Sequence, residues 1–398
     1  MSECLICKSP ISPFIDFGKQ PIANGFVSQK NTHQYFFDMK VAFCPNCCMV
    51  QLVEQPDRER MFHENYAFYS STSKHMATHF ERFANDVIEK YKPEFVVEIG
   101  SNDGIMLKHF AKKGIKHLGI EPSSNVANVA IENAVDTISC FFDEQVALDV
   151  EEDDGKADVI LSANVMAHIP DLHSVIKGFK TLLKPDGVLI FEDPYLGDIL
   201  EKTSYDQIYD EHAFYFSLGS LTWLFEQHGM TIIDVSPQDV HGGSMRYTVA
   251  NTGIYHVQNS VYDLVEKECQ SGLYSQDTYE TFKKNVELSR SRLLETLIQI
   301  KLEGGSIVGY AATAKSATVT NFCGIGPDII DYICDTTPIK QGKLSPGAHI
   351  PVRPHQDFLD NPPTHALLFA WNHTKEIMEK ETGFNGKWIV YVPEVKIL

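Results

Sequence analysis

The sequence lacks a long apolar run, although 43% of its 398 residues are hydrophobic. No stretch approaches the roughly 20 consecutive apolar residues that a membrane-spanning helix needs. The N-terminus also lacks the basic patch and apolar stretch of a secretory signal. We therefore expect no membrane helix, no export and a cytoplasmic location.

Positive charge is scarce in this chain. It has 34 Lys and Arg residues against 53 Asp and Glu residues, which gives a formal net charge of −19 at pH 7. Because a surface of that sign repels a phosphate backbone, the composition argues against a general nucleic-acid binder. A local anion site remains compatible with it.

The nine cysteines are an odd number without an export signal, so a disulfide framework is not expected. Two pairs, Cys4-x-x-Cys7 and Cys44-x-x-Cys47, each place two thiolates on one tight turn, and together they offer four sulfurs to Zn²⁺. Such a closed site leaves no position for a substrate, so we expect a structural zinc that replaces a core this segment cannot build. Cys48 is a further candidate ligand, and the alternative is that the cysteines are buried or redox-active.

The chain is long enough for two or three domains. Apolar side chains recur at three- and four-residue steps from residue 74 to 91, which predicts an amphipathic helix. Strand-like runs then alternate with helix-length stretches, at residues 95–99, 117–120, 158–161 and 188–191. This alternation predicts a parallel sheet that is covered on both faces.

A second unit of the same type follows a long helix between residues 275 and 303. Its strand candidates are residues 306–310, 329–335, 366–370 and 388–392. The expected fold class is therefore α/β. We place a zinc-binding N-terminal domain at residues 1–72, a central Rossmann-like domain at 73–275, and a second, Rossmann-like α/β domain, with its connector helix, at 276–398.

A turn with Gly100 and Gly104 follows the first strand of the central domain. Glycine lets the backbone approach a ligand closely, although a purely structural turn would look the same. The next strand ends in Glu121, whose carboxylate can accept hydrogen bonds from both hydroxyls of an adenosine ribose. Because the turn lacks the G-x-G-x-x-G arrangement that approaches a pyrophosphate, the pattern favours S-adenosylmethionine over NAD.

Three later segments carry further polar groups. The third strand ends at Asn164, so residues 164–168 should line the same sheet edge, where His168 is either functional or a hydrogen-bonded loop histidine. Residues 205–217 concentrate acid–base and aromatic groups, or else begin a surface helix. Residues 240–246 form either an anion or sugar-hydroxyl clamp or a simple strand connection.

Taken together, these motifs carry a family resemblance. After the four cysteines come residues 66–71 (YAFYSS), 98–104 (EIGSNDG), 119–123 (GIEPS), 164–169 (NVMAHI), 208–212 (IYDEH), 241–246 (HGGSMR), 309–315 (GYAATAK) and 340–347 (KQGKLSPG). Over essentially its whole length the chain resembles the deoxysugar C-methyltransferases, in particular the C-3 methyltransferases of branched-sugar biosynthesis.

The resemblance implies an S-adenosylmethionine-dependent C-3 methylation of a nucleotide-linked 4-keto-6-deoxysugar through an enolate, in a zinc-containing enzyme. It assigns catalysis to Tyr209 and His212, to Glu211 between them in the sequence, and to His168. We assign the binding of S-adenosylmethionine, the methyl donor, to Glu98, Gly100, Asn102, Gly104, Glu121 and Asn164. We assign substrate binding to Tyr66, Tyr69, His241, Ser244, Arg246 and Lys315.

The chain departs from the family at Asp210, where the family has histidine, and at Ser316, where it often has glycine. The first departure bears on substrate identity more than on reaction type. The alternatives are O- or N-methylation of a sugar or other small molecule, and a non-catalytic protein that binds sugar nucleotides. The expected partner is a nucleotide-linked sugar, without nucleic acid or membrane; the oligomeric state is left open, with a monomer as one option.

Overall fold

The computed structural model of the chain describes residues 2–64, 66, 69–72 and 74–398. Ala67 and Phe68 of the aromatic motif, and Ser73, where the central domain is predicted to begin, lie outside the described residues. Within the described ranges, no helix is long and apolar enough to cross a membrane.

The strands fall into three sheets. In chain order they are β1 (Ser2–Glu3), β2 (Pro10–Pro21), β3 (Phe36–Phe43), β4 (Val50–Leu52), β5 (Phe95–Ile99), β6 (Lys116–Ile120), β7 (Thr137–Ile138), β8 (Ala157–Ala163), β9 (Leu183–Pro194), β10 (Phe214–Tyr215), β11 (Met230–Gln238), β12 (Ser244–Asn251), β13 (Ile307–Tyr310), β14 (Ile333–Asp335), β15 (Val352–Pro354), β16 (His365–Leu368), β17 (Lys387–Val390) and β18 (Lys396–Ile397).

The helices lie between and around these sheets. They are α1 (Arg58–Met61), α2 (Lys74–Tyr91), α3 (Leu107–Ala111), α4 (Ser124–Glu132), α5 (Glu144–Asp154), α6 (Leu172–Leu182), α7 (Leu196–Lys202), α8 (Leu218–Glu226), α9 (Asn259–Gln270), α10 (Gln276–Leu302), α11 (Ala314–Cys323), α12 (His355–Asp360) and α13 (Thr374–Lys380). Short 3₁₀ turns lie at Ser70–Thr72, Met166–His168, Tyr205–Gln207 and Trp371–His373.

The central sheet has the order β11-β12-β9-β8-β5-β6-β7. Strands β9, β8, β5, β6 and β7 are parallel, as the alternating pattern predicts, whereas β11 and β12 add an antiparallel edge. The antiparallel pair is missing from the sequence-based prediction, which described residues 240–246 as a clamp or a strand connection and named no strand there. The strand order reverses between β5 and β8, so their carboxyl ends open a crevice for a ligand.

The C-terminal sheet has the order β15-β14-β13-β16-β17-β18, and only β18 runs antiparallel to its neighbour. Strand β14 begins at Ile333, later than the predicted residue 329. The reason is local: the N–H groups of Ile329 and Ile330 both donate to the Gly326 carbonyl, which turns this part of the chain. A second crevice lies where the order reverses between β13 and β16.

Two predicted helices match their periodic patterns. Helix α2 buries Met76, Phe80, Phe83 and Val87 beside the central sheet. Helix α10 is the long connector, and its N-terminus is capped by the Ser275 side chain, which accepts from the Asp277 N–H group. The residues that α10 buries on its inner face are Tyr279, Phe282, Val286, Ser289, Leu293, Leu297 and Ile300.

The N-terminal sheet has the order β1-β2-β3-β4-β10, and its last strand comes from the sequence between the central strands β9 and β11. Its apolar face packs on the C-terminal region, where the Phe14 and Tyr279 ring centroids lie 5.0 Å apart and those of Phe17 and Phe322 lie 4.9 Å apart. This agrees with the expectation that the segment cannot build a core of its own. It shares a core with α10 and α11.

The four predicted zinc ligands lie on the turns that join β1 to β2 and β3 to β4, and they converge. The Cys4 and Cys47 sulfurs are 3.5 Å apart, the Cys7 and Cys44 sulfurs are 3.4 Å apart, and all four sulfurs lie within 4.8 Å of one another. A tetrahedron with Zn–S bonds of about 2.3 Å has edges of about 3.8 Å, so the donor set fits Zn²⁺.

Both cysteine turns use the same backbone conformation. Lys8, directly after Cys7, has φ +61°, and Cys48, directly after Cys47, has φ +58°. Cys48 therefore occupies the left-handed position that closes its turn, and its sulfur is not part of the four-sulfur group. This removes the ambiguity over the fourth ligand.

We expect one zinc ion per chain in the purified protein. Cys44→Ser removes one of four sulfurs and should lose the metal and lower the melting temperature, whereas Cys48→Ser should keep it. Elemental analysis and thermal unfolding measure both effects. A stoichiometry near zero, or unchanged metal content in Cys44→Ser, would contradict the assignment.

Candidate active site

The turn after β5 adopts the conformation that glycine favours. Gly100 has φ +70°, Asn102 φ +49° and Gly104 φ +75°. A Cβ atom on Gly100 would collide with the Val165 side chain, so the loop after β8 can approach this turn only because residue 100 has no side chain. The two loops that flank the β5–β8 crevice are thus in direct contact.

Glu121 lies at the end of β6, beside this turn. Its Oε2 atom accepts a hydrogen bond from the Asn102 N–H group at 3.0 Å, and its Oε1 atom accepts one from the Ser123 N–H group at 2.8 Å. Burial raises the pKa of the carboxyl. Since each oxygen has a second lone pair, the fixed carboxylate can still accept from two ligand hydroxyls.

Several buried polar atoms around the crevice have no hydrogen-bond partner among the described residues. They are Glu98 Oε2, Ser101 Oγ, Asp103 Oδ1 and Asn164 Oδ1. Burial also raises the pKa of Glu98 well above its usual range. An unsatisfied buried polar group costs about 1–3 kcal/mol, and a polar ligand in the crevice would remove that cost. The crevice therefore fits S-adenosylmethionine, which carries amine, carboxylate and ribose groups.

The aromatic segment lies close to the same crevice. The Ser70 N–H group donates to Asn102 Oδ1 at 3.0 Å. The Asn125 side chain donates to the Tyr66 carbonyl at 2.9 Å and to the Tyr69 hydroxyl at 3.0 Å. Tyr66 and Tyr69 are thus held near the β5–β8 crevice.

His212 is buried and has a defined tautomer. Its Nδ1 atom lies 2.7 Å from the Gln207 carbonyl oxygen. Because a carbonyl can only accept, Nδ1 carries the proton and Nε2 keeps its lone pair when the ring is neutral. Burial, and secondarily the nearby His168, lower the pKa of His212 well below its usual range. The ring is therefore neutral at pH 7, with one basic nitrogen.

Two further predicted catalytic rings surround His212. The ring centroids of Tyr209 and His212 are 4.1 Å apart, and those of His168 and His212 are 5.1 Å apart. Burial lowers the pKa of His168 to about 4, and its Nε2 atom has no partner in the described part of the chain. The three rings form one cluster, in which His212 is buried and Tyr209 and His168 are partly exposed.

The adjacent carboxylates Asp210 and Glu211 face the N-terminal domain. Glu211 accepts from the Asn24 side chain at 2.7 Å and from the Tyr66 hydroxyl at 3.3 Å. Asp210 Oδ1 accepts from the Ala23 N–H group at 3.0 Å. The departure from the family at residue 210 therefore lies against the turn that follows β2.

His241 and Lys315 lie beside a cleft between the central and C-terminal domains. The cleft has a volume of about 230 Å³ and is lined by His75, Lys202, Asp239, Val240, His241, Gly242, Trp371, Asn372 and His373. Lys315 lies behind it, buried, with its amine 3.0 Å from Asn372 Oδ1. Burial, and secondarily Lys315, lower the pKa of His241 to about 3.

Ser244 and Arg246 are not among the residues that line this cleft. Ser244 Oγ donates to the Val240 carbonyl at 3.3 Å. Arg246 pairs with fully buried Glu192, with Nη2 2.9 Å from Oε2, and its guanidinium lies 3.4 Å from the centre of the Phe83 ring. The β12–β9 register places Arg246 opposite Glu192, so the expected anion clamp has no free guanidinium.

Residues 371–373 are missing from the sequence-based list of site residues. They directly follow the predicted strand 366–370, at the carboxyl end of β16. The same rule that selected Asn164 in the central domain would have found them, because ligands bind at the carboxyl ends of parallel strands.

Three domain models match successive parts of the chain. Residues 4–62 match a zinc binding domain model, residues 71–235 a methyltransferase domain model, and residues 239–393 a C-methyltransferase C-terminal domain model. These matches and the four-cysteine cluster confirm the predicted fold class and both cofactors, S-adenosylmethionine and zinc.

Among individual proteins, C-methyltransferase NovU of Streptomyces niveus is 32% identical over 410 aligned positions, which cover 100% of this chain and 97% of that protein. The ubiquinone biosynthesis O-methyltransferase of Pasteurella multocida (strain Pm70) is 36% identical over 107 residues, which cover 24% of this chain and 44% of that protein. A solved magnesium protoporphyrin IX methyltransferase from Synechocystis PCC 6803 is 14% identical with a TM-score of 0.35, covering 44% of this chain and 83% of that one.

The O-methyltransferase match covers only a quarter of the chain. The match to NovU also includes the zinc-binding segment and the C-terminal region. Similarity along the whole chain, and not in the methyltransferase domain alone, assigns this S-adenosylmethionine-dependent methyltransferase to the C-methyltransferase family.

Proposed function

We propose that the enzyme methylates C-3 of a nucleotide-linked 4-keto-6-deoxysugar through an enolate, with His212 as the base. The observation that carries this proposal is the hydrogen bond from His212 Nδ1 to the Gln207 carbonyl, which leaves Nε2 as a base among Tyr209 and His168. A carbon atom becomes a nucleophile only after a proton is removed, so carbon methylation needs such a group.

The ring cluster suits proton removal next to a ketone. His212 Nε2 takes the proton from the carbon beside the carbonyl group, and the electron pair moves toward the carbonyl oxygen. Tyr209 and His168 donate hydrogen bonds to that oxygen, because both are neutral at pH 7 and retain N–H or O–H donors. The His212 ring is buried, and hydrogen bonds are stronger where water is excluded.

We assign the methyl donor, S-adenosylmethionine, to the β5–β8 crevice. Glu121 accepts from the ribose hydroxyls, and Glu98, Asn102 and Asn164 supply the remaining polar contacts. The glycines at 100 and 104 keep the turn close to the ligand. Bound S-adenosylmethionine supplies an electrophilic methyl group.

We assign the nucleotide part of the substrate to the cleft between the central and C-terminal domains. Lys202 and Lys315 bring positive charge to it, His241 has a buried Nε2 atom with no partner among the described residues, and Trp371 offers an aromatic face. Gln207 links this cleft to the proposed base, because its side-chain amide donates to the His241 carbonyl and its backbone carbonyl accepts from His212 Nδ1. Holding both substrates in fixed positions supplies much of the rate acceleration.

Glu121→Ala should weaken S-adenosylmethionine binding by about tenfold or more, because charge-assisted hydrogen bonds contribute about 1.5–3 kcal/mol each. Isothermal titration measures the affinity. Circular dichroism shows whether the variant is folded, and the exposed Glu132→Ala is the matched control. Unchanged affinity in a folded Glu121→Ala protein would place the donor elsewhere.

Wild-type enzyme should exchange solvent deuterium into the carbon beside the ketone, and His212→Asn should abolish both this exchange and methylation while donor affinity stays nearly constant. Tyr209→Phe should slow both reactions by about 10² to 10³. NMR and mass spectrometry of the sugar follow them, with the exposed His256→Asn as the control. Methylation by His212→Asn would move the base to His168, and an O-methylated product would overturn the enolate mechanism.

A further inference from the structure

The C-terminal domain contacts the segment before His212 through one buried carboxylate. Asp206 Oδ2 accepts hydrogen bonds from the Trp371 indole N–H group at 2.6 Å and from the Tyr391 hydroxyl at 2.6 Å. Trp371 follows β16 and Tyr391 follows β17, so both donors come from the carboxyl edge of the C-terminal sheet. Asp206 has no exposed surface.

The residues on either side of Asp206 are held from the same direction. The Tyr205 hydroxyl lies 3.7 Å from the Cys323 sulfur, and the Thr318 hydroxyl donates to the Ile208 carbonyl at 2.7 Å. Cys323 and Thr318 belong to α11. The turn of residues 205–208 is therefore fixed by the C-terminal domain at three points.

Gln207 lies at the centre of that turn and contacts two histidines, one of them through the ring. Its carbonyl accepts from His212 Nδ1 at 2.7 Å, and its side-chain amide donates to the His241 carbonyl. A small rotation of this peptide would lengthen the bond to Nδ1 and release the ring to its other tautomer, in which Nε2 carries the proton.

We propose that Asp206 is a positioning residue, through which the C-terminal domain fixes the Gln207 carbonyl and thereby keeps Nε2 of His212 available as a base. The proposal rests on the function proposed above for His212. It gives the C-terminal domain a part in the chemistry in addition to lining the cleft.

The choice of a carboxylate at this position supports the proposal. A buried charge is unfavourable unless it is paired and hydrogen-bonded, so packing alone would select an apolar residue here. Lys315 and the two hydrogen bonds offset part of the effect of burial on the Asp206 pKa. Two donors on one oxygen fix the direction of the side chain, which an apolar contact does not do.

Asp206→Ala removes the acceptor of both hydrogen bonds. We expect kcat for exchange and methylation to fall about 10- to 100-fold, as a misplaced catalytic group does, while donor affinity stays within about twofold. Asp206→Asn keeps an oxygen acceptor and should restore most of the rate. Tyr391→Phe removes one hydrogen-bond donor and keeps the carboxylate, so its kcat should lie between those of the two Asp206 variants.

The tautomer of His212 gives a readout that a purely structural role would not change. In protein labelled with ¹⁵N-histidine, the His212 signal is the one that His212→Asn removes. It should report the Nδ1–H tautomer in wild type and in Asp206→Asn, and a mixture in Asp206→Ala. Glu268→Gln is the matched control, because Glu268 is also fully buried and accepts from Tyr195 and Tyr274. It should lower thermal stability and leave kcat per folded molecule unchanged.

An unchanged tautomer in folded Asp206→Ala would overturn the proposal, as would a rate loss that only follows the folded fraction. Equal losses of kcat in Asp206→Asn and Asp206→Ala would also show that Asp206 does not act through its two hydrogen bonds. If wild-type enzyme neither exchanges nor methylates a keto sugar, the proposed function fails, and the tautomer measurement still decides the role of Asp206.

Discussion

The hydrogen bond between His212 and the Gln207 carbonyl is the contact on which the proposed chemistry depends. A neutral imidazole has one donor and one acceptor nitrogen, and a buried ring without partners would exchange between two tautomers. The carbonyl selects one of them. The rest of the site can then be understood as the means of keeping residues 205–212 in place, since a carbonyl can point at Nδ1 only if its own peptide is fixed.

The N-terminal and C-terminal domains share that task. The N-terminal domain reaches Asp210 and Glu211 through Ala23 and Asn24. The C-terminal domain holds Asp206. Just beyond, β10 adds a strand to the N-terminal sheet beside β4. The segment with the proposed base is thus held from both the N-terminal and the C-terminal domain.

Sequence patterns located the regular elements well wherever one period dominates. Helix α2 and strand β5 have the predicted bounds, and the predicted position of the connector helix agrees with α10 within a residue at each end. The patterns failed where neighbours decide the outcome. Strand β14 is shortened by turn hydrogen bonds to Gly326.

The same limit applies to the site. The Gly100 turn and Glu121 could be found because they follow strands, and the cysteine pairs because their spacing is short. Arg246 looked available as an anion clamp, but its partner Glu192 is 54 residues away and becomes adjacent only through the sheet register. Asp206 lies in the predicted acid–base segment 205–217, but its role could not be found there, because its two donors lie 165 and 185 residues further along the chain.

The core shared by the first and last thirds of the chain has a consequence for engineering. Phe14 and Phe17 of β2 pack against Tyr279 and Phe322, so an exchange of the C-terminal region alone between relatives would leave the N-terminal sheet facing unfamiliar side chains. A chimaera that aims at a new substrate would have to transfer both ends together and keep only the middle. The two ends are distant in sequence, but they share one core and would have to be exchanged as one unit.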